Sequence, residues 1–211
     1  MSGLLITFEG GEGAGKSTLI ERLFDALNAK NLPVVKTRAP GGTRLGEVIR
    51  NLLLNKEEAP LCSHSELLLF LADRAQHVEE IIAPALKKRQ IVLCDRFNDS
   101  TVAYQGAARG LGEEDVRKLC SFACQGVEPN LTFYLDLDPA VGLKRVKQTR
   151  EGRDKIEAEK ILFHQKIRHA FHRIAEKELS RFHILDASRS SDEVFKQAME
   201  RIDALLLSTP R

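Results

Sequence analysis

The segment Gly10-Gly11-Glu12-Gly13-Ala14-Gly15-Lys16-Ser17-Thr18 constrains this chain more than any other. Within it Gly10, Gly15, Lys16 and Ser17 satisfy the spacing G-x-x-x-x-G-K-[ST]. The run lies directly after a strand-like stretch, Leu4 to Glu9, and before a helix-period stretch, Ser17 to Lys30. That context separates a phosphate cradle from a glycine turn with a coincidental Lys-Ser. The glycines allow backbone conformations that a Cβ would obstruct, so that several N–H groups point inward at phosphate oxygens. Lys16 supplies a point charge for the outer phosphates, Ser17 a hydroxyl for Mg²⁺, and the helix directs its positive end at the same place. Nucleotide binding along residues 10–18 is the expectation.

Beyond this loop, short apolar runs alternate with longer helix-period segments, the pattern of a parallel sheet wrapped by helices. Strands are predicted at Leu4 to Glu9, Val34 to Thr37, Ile91 to Asp95, Leu131 to Leu137 and Phe182 to Asp186. Helices are predicted at Ser17 to Lys30, Leu45 to Asn55, Ser63 to Lys87 with a break at Pro84, Glu113 to Cys124, Pro139 to Arg150, Glu157 to Lys177 and Asp192 to Leu206. The expected fold is α/β, a three-layer P-loop NTPase architecture with a five-stranded parallel sheet and helices on both faces. One domain over residues 1–211 is the simplest account of a chain of this length without repeats.

A formal charge of +2 offers no overall basic field for nucleic acid or an anionic membrane, so phosphate chemistry must rest on locally placed arginines. No apolar run approaches the roughly 20 residues of a membrane span, and no basic leader opens the chain, which is read as cytoplasmic. The four cysteines Cys62, Cys94, Cys120 and Cys124 lack metal-ligand spacing and are expected as reduced thiols, with Cys120 and Cys124 buried.

Three further features carry chemistry. The apolar strand Ile91 to Cys94 ends in Asp95-Arg96, and ligands of such sheets gather at the carboxyl ends of strands. Asp95 is expected to face magnesium and Arg96 the transferring phosphates, the alternative being an ion pair between the two. Phe70 and Arg74 are four apart on one helix face. Either Phe70 is core with Arg74 snorkelling outward, or the ring is a plate for a base whose edge Arg74 reads. Arg150, Arg153 and Lys155 cluster in a glycine-containing segment between predicted helices, near 147–157. This is either solvated surface or a mobile lid bringing arginine charge to the transferring phosphoryl group. A GTP-dependent switch would need an NKxD segment, and the nearest string, Asn55-Lys56-Glu57-Glu58, lacks the Asp.

Taken in order, these residues resemble bacterial-type thymidylate kinases over nearly the whole chain. The matching pieces are Glu12 inside the loop, Thr37-Arg38-Ala39-Pro40-Gly41-Gly42-Thr43, Phe70 with Arg74, Asp95-Arg96, the run Ser100 to Gly106, and the arginine-bearing 147–157 segment. The resemblance implies an ATP-dependent phosphorylation of thymidine monophosphate with Mg²⁺, by direct in-line transfer. Phe70 would stack on thymine, Arg74 would read its carbonyl edge, and Thr101 and Gln105, with Ser100 in the same run, would complete the pocket. Arg38 and Arg96 would grip the acceptor phosphate. Tyr104 would sit under the sugar, and Glu12 would reach its 3′-hydroxyl or the ligand-bound magnesium. Lys16, Asp95, Arg96, Arg150 and Arg153 would be catalytic, Ser17 and Asp95 the metal ligands. A homodimer is also implied, for which the Leu67 to Leu71 run is available, although a buried helix explains that run equally well. The stretch Asp186-Ala187-Ser188 is similar to the family's adenine-side loop. The chain departs from the pattern at Ala39, where many relatives have Glu, at Lys155, where the segment usually continues Asp-Arg, and at Phe97, where relatives carry a more polar residue.

Overall fold

In the computed structural model of the chain, the described residues are 3–55, 60–149 and 154–208. Five strands, β1 (Leu4–Gly10), β2 (Val34–Arg38), β3 (Ile91–Asp95), β4 (Leu131–Asp136) and β5 (Phe182–Asp186), form one parallel sheet in the order β2-β3-β1-β4-β5. Pairing of Phe8 with Asp95 and of Gly10 with Leu135 brings the carboxyl ends of β1, β3 and β4 out together. Ligands of open parallel sheets bind outside these ends, where neighbouring strands send their connections to opposite faces and leave a crevice.

Both sheet faces are covered, and β1 is buried along its whole length. Alternate residues point to opposite faces. Ile6, Phe8, Leu93 and Phe133 pack with α1 (Lys16–Ala29) and α9 (Ser191–Ser208). On the other face Leu5, Val92 and Cys94 pack with Val78, Ile82 and Phe97. Tyr134 on that same face meets α6 (Glu113–Ala123) and α8 (Ile161–Lys177). The remaining helices are α2 (Arg44–Leu54), α3 (Ser63–His77), α4 (Ala83–Lys87), α5 (Asn98–Thr101) and α7 (Pro139–Thr149). The three-layer α/β expectation therefore holds.

Most predicted elements fall within a residue or two of their observed ends, and three differences are informative. The expected break at Pro84 is instead a π-helical turn, Val78–Ile82, in which the Ala83 N–H reaches Val78 O. Widening the turn accommodates a ring with no N–H to donate, so the helix runs on into α4 without interruption. The helix predicted from Glu157 starts at Ile161. Asp154 and Glu157 close a turn by exchanging bonds, Glu157 N–H to Asp154 Oδ1 at 2.8 Å and Asp154 N–H to Glu157 Oε2 at 2.9 Å, and this competes with helix geometry. Finally, residues 98–108 are helical, as α5 followed by the π segment Val102–Ala108. Their small and polar residues carry no apolar periodicity, and tertiary packing against α8 and α6 sets their form. The predicted end of α7 at Arg150 lies outside the described residues.

Candidate functional site

The turn after β1 owes its shape to glycines at positive φ, Gly13 at 69° and Gly15 at 93°, the latter immediately before α1. A Cβ on Gly13 would lie 2.2 Å from Gly142 O in α7, and one on Gly142 the same distance from Glu12 O. Loop and helix thus touch backbone to backbone. Lys16 is buried, its Nζ donating to Gly10 O at 3.1 Å and to Gly11 O at 2.8 Å. Residues Glu12 to Thr18 line a cleft of about 1580 Å³ together with Arg38, Arg50, Asp95, Arg96 and Arg145. At its floor Ser17 Oγ lies 3.5 Å from Asp95 Oδ2, while Asp95 Oδ1 is buried without a hydrogen-bond partner. An orphaned carboxylate oxygen beside a hydroxyl is a hard-oxygen donor set that fits Mg²⁺.

Arg96 follows β3 in the left-handed region, φ 67°, a conformation uncommon outside glycine and held here by its partners. The ion pair with Asp95 that the sequence left open is not formed. Arg96 Nη2 instead bonds Glu12 Oε1 at 2.5 Å, and Nη1 bonds Gly10 O at 3.0 Å and Ser100 Oγ at 3.2 Å. Burial alone would lower the proton affinity of this guanidinium, but Glu12, Tyr104 and Asp95 outweigh it and raise it. Glu12 is the converse: burial pushes its carboxyl up, yet Arg96 and Lys16 bring it down to about 2. Tyr104 Oη donates to the same Glu12 oxygen at 3.1 Å. Beneath them lies Glu9, fully buried, accepting from Phe97 N–H at 2.7 Å and from Ser100 Oγ; burial first, and Asp99 next, raise its carboxyl to about 7.

Beside the cleft is a pocket of about 540 Å³ lined by Phe70, Arg74, Ser100, Thr101, Tyr104 and Gln105, with Pro40, Leu54 and Ile156 completing its walls. Arg74 does not snorkel outward. It is 3% exposed, its guanidinium carbon is 4.3 Å from the Phe97 ring centroid, and its Nε and Nη1 have no hydrogen-bond partner. Phe97, fully buried, is thereby the platform under Arg74. Further along α3, Asp73 Oδ1 accepts from Gly41 N–H at 2.9 Å and His77 Nε2 lies 2.6 Å from Thr37 Oγ1, tying the Thr37 to Thr43 segment to the helix that carries Phe70 and Arg74. Arg38 is half exposed and paired with Glu47 at 2.9 Å, lining the larger cleft but not the pocket.

The pocket and cleft share Glu12, Ala39, Arg50, Arg96 and Asp154. A model of the thymidylate kinase family matches residues 8–198. Thymidylate kinase of Protochlamydia amoebophila is 49% identical over 95% of this chain and 92% of its own length, and that of Geobacillus thermodenitrificans 43% identical over 100% and 94%. The crystal structure of thymidylate kinase from Ehrlichia chaffeensis superposes with a TM-score of 0.77 at 34% identity, covering 96% of this chain and 99% of that one. The chain belongs to the thymidylate kinase family. Like other members it is a kinase of nucleotides, a transferase.

In this thymidylate kinase family fold several site residues carry no signal in the sequence. Arg50 projects from α2 into both cavities, its Nη1 on Pro40 O at 2.8 Å. Arg145 on α7 bridges Gly13 O at 3.5 Å and Ala187 O at 3.3 Å, joining the phosphate loop to the Asp186–Ser188 turn. An arginine in a helix pattern looks like solvated surface, and only tertiary placement distinguishes these two. Gly142 was detectable as an isolated glycine inside a helix. Arg150 and Arg153 lie outside the described residues, whereas Lys155 is described and anchors its N–H on Leu54 O at 3.1 Å. Leu67 and Leu71 are core, but Leu68 is 62% exposed. Among the described residues no helix is long and apolar enough to cross a membrane.

Proposed function

We propose that this enzyme transfers the γ-phosphoryl group of Mg·ATP to the phosphate of thymidine monophosphate. The observation that carries the reading is the meeting of a phosphate cleft and a base-sized pocket at Arg96 and Glu12. A donor triphosphate lying along residues 10–18 and an acceptor nucleotide with its base between Phe70 and Arg74 both end at that junction. Geometry of this kind supplies much of the rate, because reacting groups held close and aligned no longer need to find each other.

In the transfer, an acceptor phosphate oxygen forms a bond to the γ-phosphorus while the bond to the bridging oxygen breaks, and ADP leaves with the electron pair. A phosphate monoester is already ionised near neutral pH, so no general base is required. Lys16 leaves its carbonyl partners for the outer phosphates. Arg96 donates to the acceptor phosphate and to the equatorial oxygens as charge spreads over them, and its neighbours keep it protonated throughout. Ser17 and Asp95 would hold magnesium, which when bound neutralises phosphate charge and orients the triphosphate. Glu12 and Tyr104 position the sugar, and the crowded Tyr104 ring disfavours a ribose 2′-hydroxyl. Arg38 and Arg50 add charge at the acceptor phosphate, and Thr101 and Gln105 line the base. Arg150 and Arg153, which lie outside the described residues, would bring further charge to the transferring phosphoryl group as part of a lid near 147–157.

The enzyme is a homodimer through α2 and α3, which leave Leu45, Val48 and Leu52 and, on the second helix, Leu68 exposed, and sedimentation velocity tests it. It works in the cytoplasm, with which its free thiols agree. The decisive assay is ADP release from Mg·ATP with each common ribo- and deoxyribonucleoside monophosphate against an acceptor-free control. Selective turnover with thymidine monophosphate is expected, and preference for another acceptor would overturn the pocket assignment.

A further inference from the structure

We propose that Glu66 is a specificity-determining positioning residue, fixing the side-chain amide of Gln105 so that its carbonyl oxygen faces the base in the acceptor pocket. The proposal rests on the reading of that pocket as a thymine site.

Gln105 is 1% exposed and lines the pocket from the π segment Val102–Ala108. Its Nε2 donates to Glu66 Oε1 at 2.8 Å. A glutamine amide can be turned over at little intrinsic cost, since oxygen and nitrogen are nearly the same size, and its neighbours decide the orientation. Here a carboxylate, which only accepts, stands on one side of it. Turning the amide over would set two oxygens against each other. With the nitrogen directed at Glu66, the oxygen diverges from it toward the cavity.

Glu66 is itself immobilised. Arg109 bonds both its oxygens, Nε to Oε1 at 3.1 Å and Nη2 to Oε2 at 3.0 Å, and the Glu66 side chain is 12% exposed. The third nitrogen of Arg109, Nη1, bonds Glu159 Oε1 at 2.5 Å, and the guanidinium lies 4.6 Å from the Phe163 ring centroid. Arginine can only donate, so the sequence of roles has one solution: Arg109 donates, Glu66 accepts, Gln105 donates, and an acceptor remains for the ligand.

That acceptor matters because pyrimidines differ in polarity along one edge. Thymine and uracil present an N3–H donor beside the O4 acceptor, whereas cytosine presents an N3 acceptor beside an amino donor. The Gln105 oxygen matches N3–H, and the donor-only Arg74, with Nε and Nη1 unpartnered, matches O4. Cytosine would meet like against like at both positions. Glu66 touches no ligand and acts through Gln105.

The test compares wild type with Glu66→Gln, whose uncharged amide can donate as well as accept and so releases the orientation of Gln105. ADP release is followed with dTMP, dUMP and dCMP as acceptors. The ratio of kcat/KM for dTMP over dCMP is expected to fall by about tenfold, the scale of one mismatched buried hydrogen bond. The dTMP over dUMP ratio should stay unchanged, because both bases present the same edge, and KM for ATP should stay within about twofold. Glu66→Asp, which keeps the charge but retracts the acceptor by one methylene, should move the same ratio in the same direction and serves if the glutamine variant does not fold. An unchanged dTMP over dCMP ratio, or an equal loss for all three acceptors, overturns the proposal. Failure of the thymine reading itself would appear separately, as a wild-type enzyme without preference for dTMP over dCMP.

Discussion

Gly142→Ala tests the backbone contact on which the phosphate loop rests. In an ordinary helix this substitution stabilises by about 1 kcal/mol, because alanine loses less backbone freedom than glycine. In α7 the new Cβ would lie 2.2 Å from Glu12 O, a backbone atom that cannot rotate away. Reaching ordinary contact needs a shift of about 1 Å by α7 or by the loop, and overpacking of this kind costs about 1–3 kcal/mol. The net is a loss of up to about 2 kcal/mol, which in a chain of this size lowers Tm by several degrees. Activity should suffer more than stability. The displaced residues include Glu12 and Gly13, and a misplacement of about 1 Å at a transferring phosphate can cost on the order of a hundredfold. The assays are calorimetry and steady-state kinetics with varied ATP and dTMP. A drop in kcat/KM for ATP of at least about tenfold is expected, with a smaller loss for dTMP, because Glu12 moves while the pocket residues Phe70, Arg74 and Gln105 are untouched. A variant with raised Tm and unaltered kinetics would show that loop and helix separate freely, and would refute the reasoning.

Three other outcomes follow from the same geometry. Lys16→Ala should reduce kcat by at least about a hundredfold with Tm little affected, since its bonds to Gly10 and Gly11 carbonyls are local; near-normal turnover would dismiss residues 10–18 as the donor site. Arg74→Met removes a buried guanidinium with two unpartnered nitrogens, so Tm should change by no more than a few degrees while KM for dTMP rises about tenfold or more and KM for ATP holds. Loss of Tm with an unaltered KM would mark Arg74 as structural. For Glu9, burial raises the carboxyl from 4.5 to about 7, so its contribution to stability is fully present below about pH 4.5 and is lost as the pH rises through 7. Glu9→Gln cannot ionise, and its urea midpoint should gain on wild type between pH 4.5 and 7 and then run parallel; curves parallel from pH 4 to 8 would contradict this.

How far sequence foretold this structure depends on the scale at which each feature is encoded. The β1 strand, its glycine turn and α1 are contiguous, and the physical requirements of phosphate binding are written into adjacent residues. Asp95-Arg96 is similar, because strand ends converge in any parallel sheet. Arg96 pairing with Glu12 is different: the two are 84 apart, and the left-handed turn after β3 that aims the guanidinium at the loop has no glycine to announce it. Phe70 and Arg74 were visible as one helix face, yet core and ligand plate look alike until Phe97 is seen to occupy the space beneath. The π segment at 102–108 eluded periodicity altogether, since its register follows from packing against α8 and α6. Arg50 and Arg145 show the general difficulty. A helix has an outward face on every turn, and only the assembled sheet decides which outward arginine overlooks the cleft.

Local partners, not the overall charge of +2, allow several cations to converge on one cleft. Lys16, Arg38, Arg50, Arg96 and Arg145 all border one cleft, and each is held in place by a partner within the protein. Lys16, Arg50 and Arg145 rest on backbone carbonyls, Arg38 on Glu47, and Arg96 on Glu12. A carbonyl or a shared carboxylate fixes the direction of each cation, so an arriving phosphate completes existing geometry rather than creating it. The Arg96–Glu12 pair is the exception in strength, being mostly buried on both sides. Removing either partner would leave a buried charge unpaired, so on the proposed reading phosphate joins Arg96 alongside Glu12. On the reading proposed above, Glu12 would then stay in the junction, where Tyr104 Oη donates to it at 3.1 Å, on the sugar side of an acceptor whose phosphate Arg96 would hold.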